Sequence, residues 1–217
     1  MKLHKYLTAS GEFDYEKYRR VQEEGNIRKL DKIWAREEIV QNLAKFLKSN
    51  MSDIKFGLCH GTRRGLEQLW FSKHTGAKFL GTEISSTATQ FRDTIQWDFH
   101  QVKDEWVGTV DVIYSNSWDH SYNPHLCFQA WMSCLRPGGF MLLEHTDNHK
   151  EAEANELDPF GIGLDELTLM LTEIGGGDCN VAGILRDVTQ NPGRQKINLS
   201  VVVVQRRETP LQLKAWL

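Results

Sequence analysis

Two histidines and three acids are the side chains of this sequence best suited to chemistry. His120 follows Asp119 inside the polar run Ser115-Asn116-Ser117-Trp118-Asp119-His120-Ser121-Tyr122-Asn123-Pro124. His145 follows the apolar run Phe140-Met141-Leu142-Leu143-Glu144. An imidazole titrates near neutral pH, so His120, or Asp119 beside it, suits the removal of a proton from a hydroxyl, with His145 as a second candidate. The competing reading is that each histidine only holds its loop together. Glu83 ends the short run Lys78-Phe79-Leu80-Gly81-Thr82-Glu83, and Asp98 follows Thr94-Ile95-Gln96-Trp97. A carboxylate at the tip of a strand can accept two hydrogen bonds from ribose hydroxyls, and Asp98 can accept one from an exocyclic amine, with Phe99 or Trp97 as an apolar wall for a flat ring.

Those residues need a scaffold that brings strand ends together. The stretch Phe56-Gly57-Leu58-Cys59-His60-Gly61-Thr62-Arg63-Arg64-Gly65-Leu66-Glu67 reads as a strand, a glycine-bearing turn and a helix start. Such a turn lets ligand atoms approach backbone N–H groups under the positive end of a helix dipole. The three-glycine dinucleotide pattern is incomplete, because Arg63 occupies its middle position. Glu83 comes about twenty residues after the glycine loop, the spacing of a strand–turn–helix–strand unit. Further strands are expected over Val110–Tyr114 and Phe140–Glu144, with the tight turn Leu135-Arg136-Pro137-Gly138-Gly139 before the latter. Between them a helix is expected with Leu126, Phe128, Trp131 and Leu135 on its buried side.

Upstream, Phe13 to Asn26 reads as a short amphipathic helix or an ordered arm, and Asp31 to Asn50 as a helix capped by Asp31, with Ile33, Trp34, Ile39, Val40, Leu43, Phe46 and Leu47 near one face. Ser85 to Arg92 can form a brief helix, and Glu151 to Phe160 is acidic and loop-like. Leu164 to Ile174 reads as a helix closed by Gly175-Gly176-Gly177. Val181 to Asp187 and Ile197 to Val204 read as strands joined at Asn191-Pro192-Gly193; with no helix between them they should pair antiparallel at a sheet edge. Strand and helix alternate, so an α/β sheet is expected, and its shared carboxyl edge would gather the Gly61 loop, Glu83 and Asp98 in one crevice.

With 217 residues the chain can bury one sizeable core without staples. A net charge of -3, with Lys and Arg dispersed, argues against duplex nucleic acid. Cys59, Cys127, Cys134 and Cys179 show no zinc-type spacing and read as buried reduced thiols. No run is long enough to span a bilayer, so a soluble cytoplasmic protein is expected.

The order of these signals resembles the class I S-adenosylmethionine-dependent methyltransferases over roughly residues 55 to 205. The most specific pieces are Gly81-Thr82-Glu83-Ile84-Ser85, the strand-end Asp98, the run from Ser115 to His120, Leu135 to Gly139, and the final hairpin. The resemblance implies a seven-stranded, mostly parallel Rossmann-like sheet with helices on both faces and an antiparallel C-terminal hairpin. It implies an extension over residues 1–50 and a cofactor-binding domain over 51–217. By carry-over, Gly61 and Gly65 border the methionine part of S-adenosylmethionine, Glu83 with Ile84 beside it holds the ribose, and Asp98 with Phe99 faces the adenine. Cys59 stands where the family places an acid, so His60, Ser115 or Asn116 would compensate, and Thr62 completes the loop. Arg63 would pair with the cofactor carboxylate or stay a solvated helix-start arginine.

The expected reaction is methylation of a hydroxyl on a small molecule or glycan, releasing S-adenosylhomocysteine, with Trp118 and Tyr122 available to stack on a sugar ring. Alternatives are another transferase using the same cofactor or a noncatalytic cofactor-binding module. Glu144, His145, Asp147 and His149 form a group that a divalent metal could use, although a wet loop explains them without one. The N-terminal helix could cover the site or build a homodimer.

Overall fold

Apolar side chains that alternate between two faces of a strand demand a covering layer on each face, and the computed structural model supplies both. It describes residues 1–186 and 198–211. Along the chain run β1 (Lys2–Leu3), α1 (Tyr15–Arg28), α2 (Glu37–Asn50), β2 (Phe56–His60), α3 (Leu66–Thr75), β3 (Lys78–Glu83), β4 (Thr94–Gln96) and β5 (Val110–Ser115). Then follow α4 (Pro124–Cys134), β6 (Leu135–His145), β7 (Phe160–Gly161), α5 (Leu164–Gly175), β8 (Cys179–Arg186) and β9 (Ser200–Arg206). A seven-stranded sheet has the order β4-β3-β2-β5-β6-β9-β8, and β1 pairs with β7 in a separate ribbon. β2 to β6 pair in parallel, whereas β9 is antiparallel to both β6 and β8. This is the seven-stranded sheet with a reversed hairpin that the resemblance implies.

The sheet residues divide by parity. Leu58, Ile113, Met141, Leu143, Val202 and Val204 face α4 and α5, while Cys59, Val112, Tyr114, Leu142, Val201 and Val203 face α2 and α3. Each fully buried Val or Leu contributes about 1.5–3 kcal/mol, so this two-sided burial is the main force holding the strand ends in register.

Several local expectations need correction. Asp31 is not a cap: α2 begins at Glu37 after Arg36, and Ile33 and Trp34 are 55% and 61% exposed in the preceding loop. The segment between α1 and α2 is therefore a lining for something other than the core. Leu126 is exposed on the first turn of α4, so the buried side starts at Cys127 and Phe128. Leu135–Gly139 is the first part of a long β6 that shifts register against β5 between Val110 and Val112, with Gly138 at φ 76° supplying the bend. Ser86–Gln90 is a 3-10 turn. The Asn191-Pro192-Gly193 turn lies outside the described residues. Among the described residues no helix is long and apolar enough to cross a membrane, and all four cysteines are free and buried.

Candidate functional site

Parallel registration places the carboxyl ends of β2, β3 and β5 side by side. His60 pairs with Thr82 and Cys59 with Tyr114, which brings Gly61 level with Glu83 and close to Asn116. The turn that follows alternates in handedness: Gly61 has φ 74°, Arg63 φ 42° and Gly65 φ 68°. Within the turn Gly61 N and Thr62 N donate to Thr82 O (2.9 and 3.2 Å), Arg63 N to Glu83 (3.0 Å) and Gly65 N to Thr62 O (2.8 Å), which locks the loop against β3, and α3 begins directly behind it. A Cβ on Gly61 would come within 2.7 Å of the Ser117 Cβ, so only glycine lets these two strand ends close on each other. Arg63 adopts the backbone that a glycine would adopt there, which accounts for the incomplete glycine pattern.

Two cavities open along this edge and share Lys29, Gly61, Arg63, Ser117 and His120. The smaller, of about 40 Å³, lies between α1 and the ends of β3 and β4 and is bordered by Glu83, Ile84, Asp98 and Phe99. Glu83 accepts from the backbone N–H of Arg63 (3.0 Å) and of Ser85 (3.1 Å). Burial pushes its pKa up, against the pull of those two N–H groups. Asp98 accepts from Tyr15 Oη (2.8 Å), His100 N (2.9 Å) and His100 Nδ1 (2.7 Å). Burial works to raise the Asp98 pKa, but the hydrogen bonds from His100 and Tyr15 outweigh it and the carboxyl stays below its usual value.

The larger cavity, of about 300 Å³, is bordered by the exposed Ile33 and Trp34 and by Asn116, Asp119, His120 and Asp158. His120 Nδ1 meets Gln22 Oε1 at 2.7 Å, and its Nε2 lies 3.4 Å from Asp158 Oδ1. Asp119 is 7% exposed and its Oδ1 has no hydrogen-bond partner. Burial pushes the Asp119 pKa up to about 6, partly opposed by His120. Glu144 and His149 also border this cavity; Glu144 accepts from Tyr114 Oη at 2.6 Å. Asp119, His120 and Asp158 each place a donor atom within 4.8 Å of the others.

Apart from Thr62, the remaining expected site residues sit away from both cavities. Cys59 faces Phe71 and Tyr114 on the opposite side of the sheet. His60 stacks on Trp131 with centroids 4.5 Å apart, and its burial drives its pKa down to about 3, so it stays neutral. Ser115 is buried and donates to His60 O (3.0 Å), which ties β5 to β2. His145 is buried and bonded to Ile162 O (2.9 Å). Thr62 borders the larger cavity, and Gly65 serves as the N-cap of α3. Trp118 is fully buried, donating to Glu144 O (2.6 Å), and Tyr122 packs on His100 and Phe13, so neither faces the larger cavity. Asp147 is bonded outward to Lys150, which separates it from His145 and His149 as a metal group.

Sequence reasoning allowed that an N-terminal helix covers the site but named none of the residues that α1 contributes. Tyr18, Gln22, Asn26 and Lys29 border the smaller cavity at helical spacing, a pattern that a reading of the helix as polar surface obscures. It also missed Asp158, hidden in an acidic loop, and His100, whose only signal is its place two residues after Asp98.

No protein-family model matches the chain, and no curated protein matches it in sequence. Solved structures match its fold. The Burkholderia thailandensis 1,6-didemethyltoxoflavin-N1-methyltransferase, solved with 1,6-didemethyltoxoflavin and S-adenosylhomocysteine, aligns over 95% of this chain and 100% of its own with a TM-score of 0.67 at 12% identity. The plantazolicin methyltransferase BpumL, solved with a triazolic desmethylPZN analog and S-adenosylhomocysteine, aligns over 88% of this chain and 96% of its own with a TM-score of 0.68 at 14% identity. The [4+2]-cyclase SpnF aligns over 77% and 80% with a TM-score of 0.58 at 10% identity. The chain thus has the class I methyltransferase fold, a fold that also carries a cyclase.

Proposed function

We propose that this chain is an S-adenosylmethionine-dependent methyltransferase acting on a hydroxyl of a small molecule, sugars included. The observation that carries the reading is the junction of the two cavities at Gly61, Arg63, Ser117 and His120, which sets a nucleoside-type recess against a wider acceptor recess. The neighbours with S-adenosylhomocysteine bound support the choice of cofactor. The acceptor atom is inferred from this chain's own residues.

The residues fit that cofactor. Glu83 and Asp98 keep unused lone pairs after their internal hydrogen bonds, enough for ribose hydroxyls and the adenine amine. Arg63 Nε is buried without a partner, and the guanidinium borders both cavities, placed to meet a carboxylate. Bound there, S-adenosylmethionine supplies a methyl group on a positively charged sulfur. The smaller cavity falls below the roughly 300–1,000 Å³ of typical ligand sites, so α1 must swing outward to admit a nucleoside. On this reading the part of residues 1–50 that closes over the bound cofactor is α1 with the segment up to α2, while α2 stays packed on the sheet.

The acceptor lies in the larger cavity against Trp34 and Ile33. Its hydroxyl proton is drawn off at the Asp119–His120–Asp158 group, where His120 Nε2 is the unprotonated nitrogen facing the cavity. Alignment of the hydroxyl with the methyl group does most of the catalytic work, and proton removal adds to it.

The test is transfer of a labelled methyl group from S-adenosylmethionine to a panel of phenols, sugars and hydroxy acids, with His120→Ala and Asp119→Asn alongside. Methyl-ether product that both variants lose is the expected result. Cofactor binding with no transfer to any acceptor would instead make the chain a noncatalytic cofactor-binding module.

A further inference from the structure

We propose that Asp119, His120 and Asp158 form a divalent-cation site of the Mn²⁺ or Mg²⁺ class, open to the larger cavity. A side-chain amide fixes the state of the histidine. Gln22 Nε2 donates to Leu157 O (3.1 Å) and to Tyr6 Oη (3.3 Å), so its Oε1 must be the atom facing His120. An oxygen there accepts, so His120 Nδ1 carries the proton and donates across 2.7 Å. In the neutral ring Nε2 then presents its lone pair to Asp158 Oδ1 at 3.4 Å, two acceptors with no donor between them.

Protonating His120 would cure that contact but not the next. Asp119 Oδ1 is buried, borders the same cavity and has no hydrogen-bond partner. His149 Nδ1 accepts from the Thr146 N–H (2.9 Å), so its proton is on Nε2, yet that atom is 3.9 Å from Asp119 Oδ1 and closer to Asn116 O. Lys29 and Arg63 border the cavity and act across space on Asp119 and Asp158 respectively, but neither comes within ion-pair distance of those carboxylates among the described residues. A single cation satisfies all three lone pairs at once. The three atoms lie within 4.8 Å of one another, and adjacent ligands of a six-coordinate ion stand about 3 Å apart, so a small contraction completes the set.

An imidazole with two carboxylates suits a hard to borderline ion. The cavity side leaves positions for water and for an acceptor that chelates through two oxygens, such as a vicinal diol or a hydroxy acid. This part rests on the proposed hydroxyl methylation: with His120 as a ligand and no longer the proton acceptor, a bound cation would supply the acidity that eases loss of the hydroxyl proton. Cation binding itself does not depend on that reading.

The experiment is titration of Mn²⁺ into the purified full chain, followed by the electron paramagnetic resonance signal of free Mn²⁺, with calorimetry of S-adenosylhomocysteine in parallel. One Mn²⁺ per chain is expected, weakened at least about tenfold in Asp158→Asn and in Asp119→Asn. Gln22→Met should weaken it about tenfold as well, by releasing the His120 tautomer. Asp158 is partly exposed, so Asn fills its place without disturbing the fold, which circular dichroism checks. Absence of stoichiometric Mn²⁺, or Mn²⁺ binding unaltered in both carboxylate variants, overturns the site. Loss of Mn²⁺ in the variants of a chain that binds no S-adenosylhomocysteine would keep the site and remove the cofactor reading.

Discussion

The two ends of the cleft are built on opposite plans. At the β3–β4 end every carboxylate is already satisfied: Glu83 by two backbone N–H groups, Asp98 by Tyr15 and by two donors of His100. At the β5–β6 end Asp119 Oδ1 has no donor, and His120 Nε2 lies 3.4 Å from the Asp158 carboxylate. Internal partners orient an acceptor in advance and lower the cost of waiting for a ligand. A buried group without one is destabilised until something arrives. The first plan suits recognition of a constant ligand and the second suits chemistry on a variable one.

The largest effect expected of that contrast is on turnover. Asp119→Asn should lower kcat by roughly 100- to 10,000-fold while S-adenosylhomocysteine affinity, read by calorimetry, stays as in the parent chain. A parallel loss of affinity would erase the division between the ends. At the other end, Glu83→Ala should weaken S-adenosylhomocysteine about 10- to 100-fold and cost about 1–3 kcal/mol of stability, because the Arg63 and Ser85 N–H groups lose their acceptor. Denaturant unfolding and calorimetry separate the two.

The contrast also has a pH signature. Asp119 is raised by burial to about 6 in the fold, above its ordinary 3.8. Its contribution to stability is therefore fully present below about 3.8 and is lost as pH rises through 6. In chelator-treated protein, Asp119→Asn should thus be more stable than the parent by about 3 kcal/mol at pH 8, the difference vanishing below about pH 4. A difference independent of pH would mean that Asp119 has a partner. Gly61→Ala touches both ends, and strain at φ 74° together with the Ser117 contact should cost about 1–3 kcal/mol in thermal unfolding. Smallest is Tyr15→Phe, which frees one Asp98 oxygen and one tether of α1. S-adenosylhomocysteine should bind tighter by about 0.5–1.5 kcal/mol, and weaker binding would mean that Tyr15 serves the ligand.

Much of the constant end was legible in the residues, and less of the variable end. The Lys78–Glu83 strand, the glycine turn and Asp98 follow from apolar runs that stop at acids, a local signal. His145 and Trp118 have the right neighbours in sequence, but their side chains turn into the core between β6 and α4, and only packing reveals that. Asp158 and Gln22 reach His120 from 38 and 98 residues away. No spacing rule joins such distant positions; the fold of α1 and the acidic loop over the sheet edge does.

A nucleoside cofactor that enters beneath α1 must contact Glu83 and Asp98. Calorimetric titration of S-adenosylmethionine and S-adenosylhomocysteine into the intact chain, beside Glu83→Ala and Asp98→Ala, asks that directly. One site per chain, weakened in both variants, is the predicted result. An intact chain that releases no heat and shows no thermal shift with either compound would contradict it.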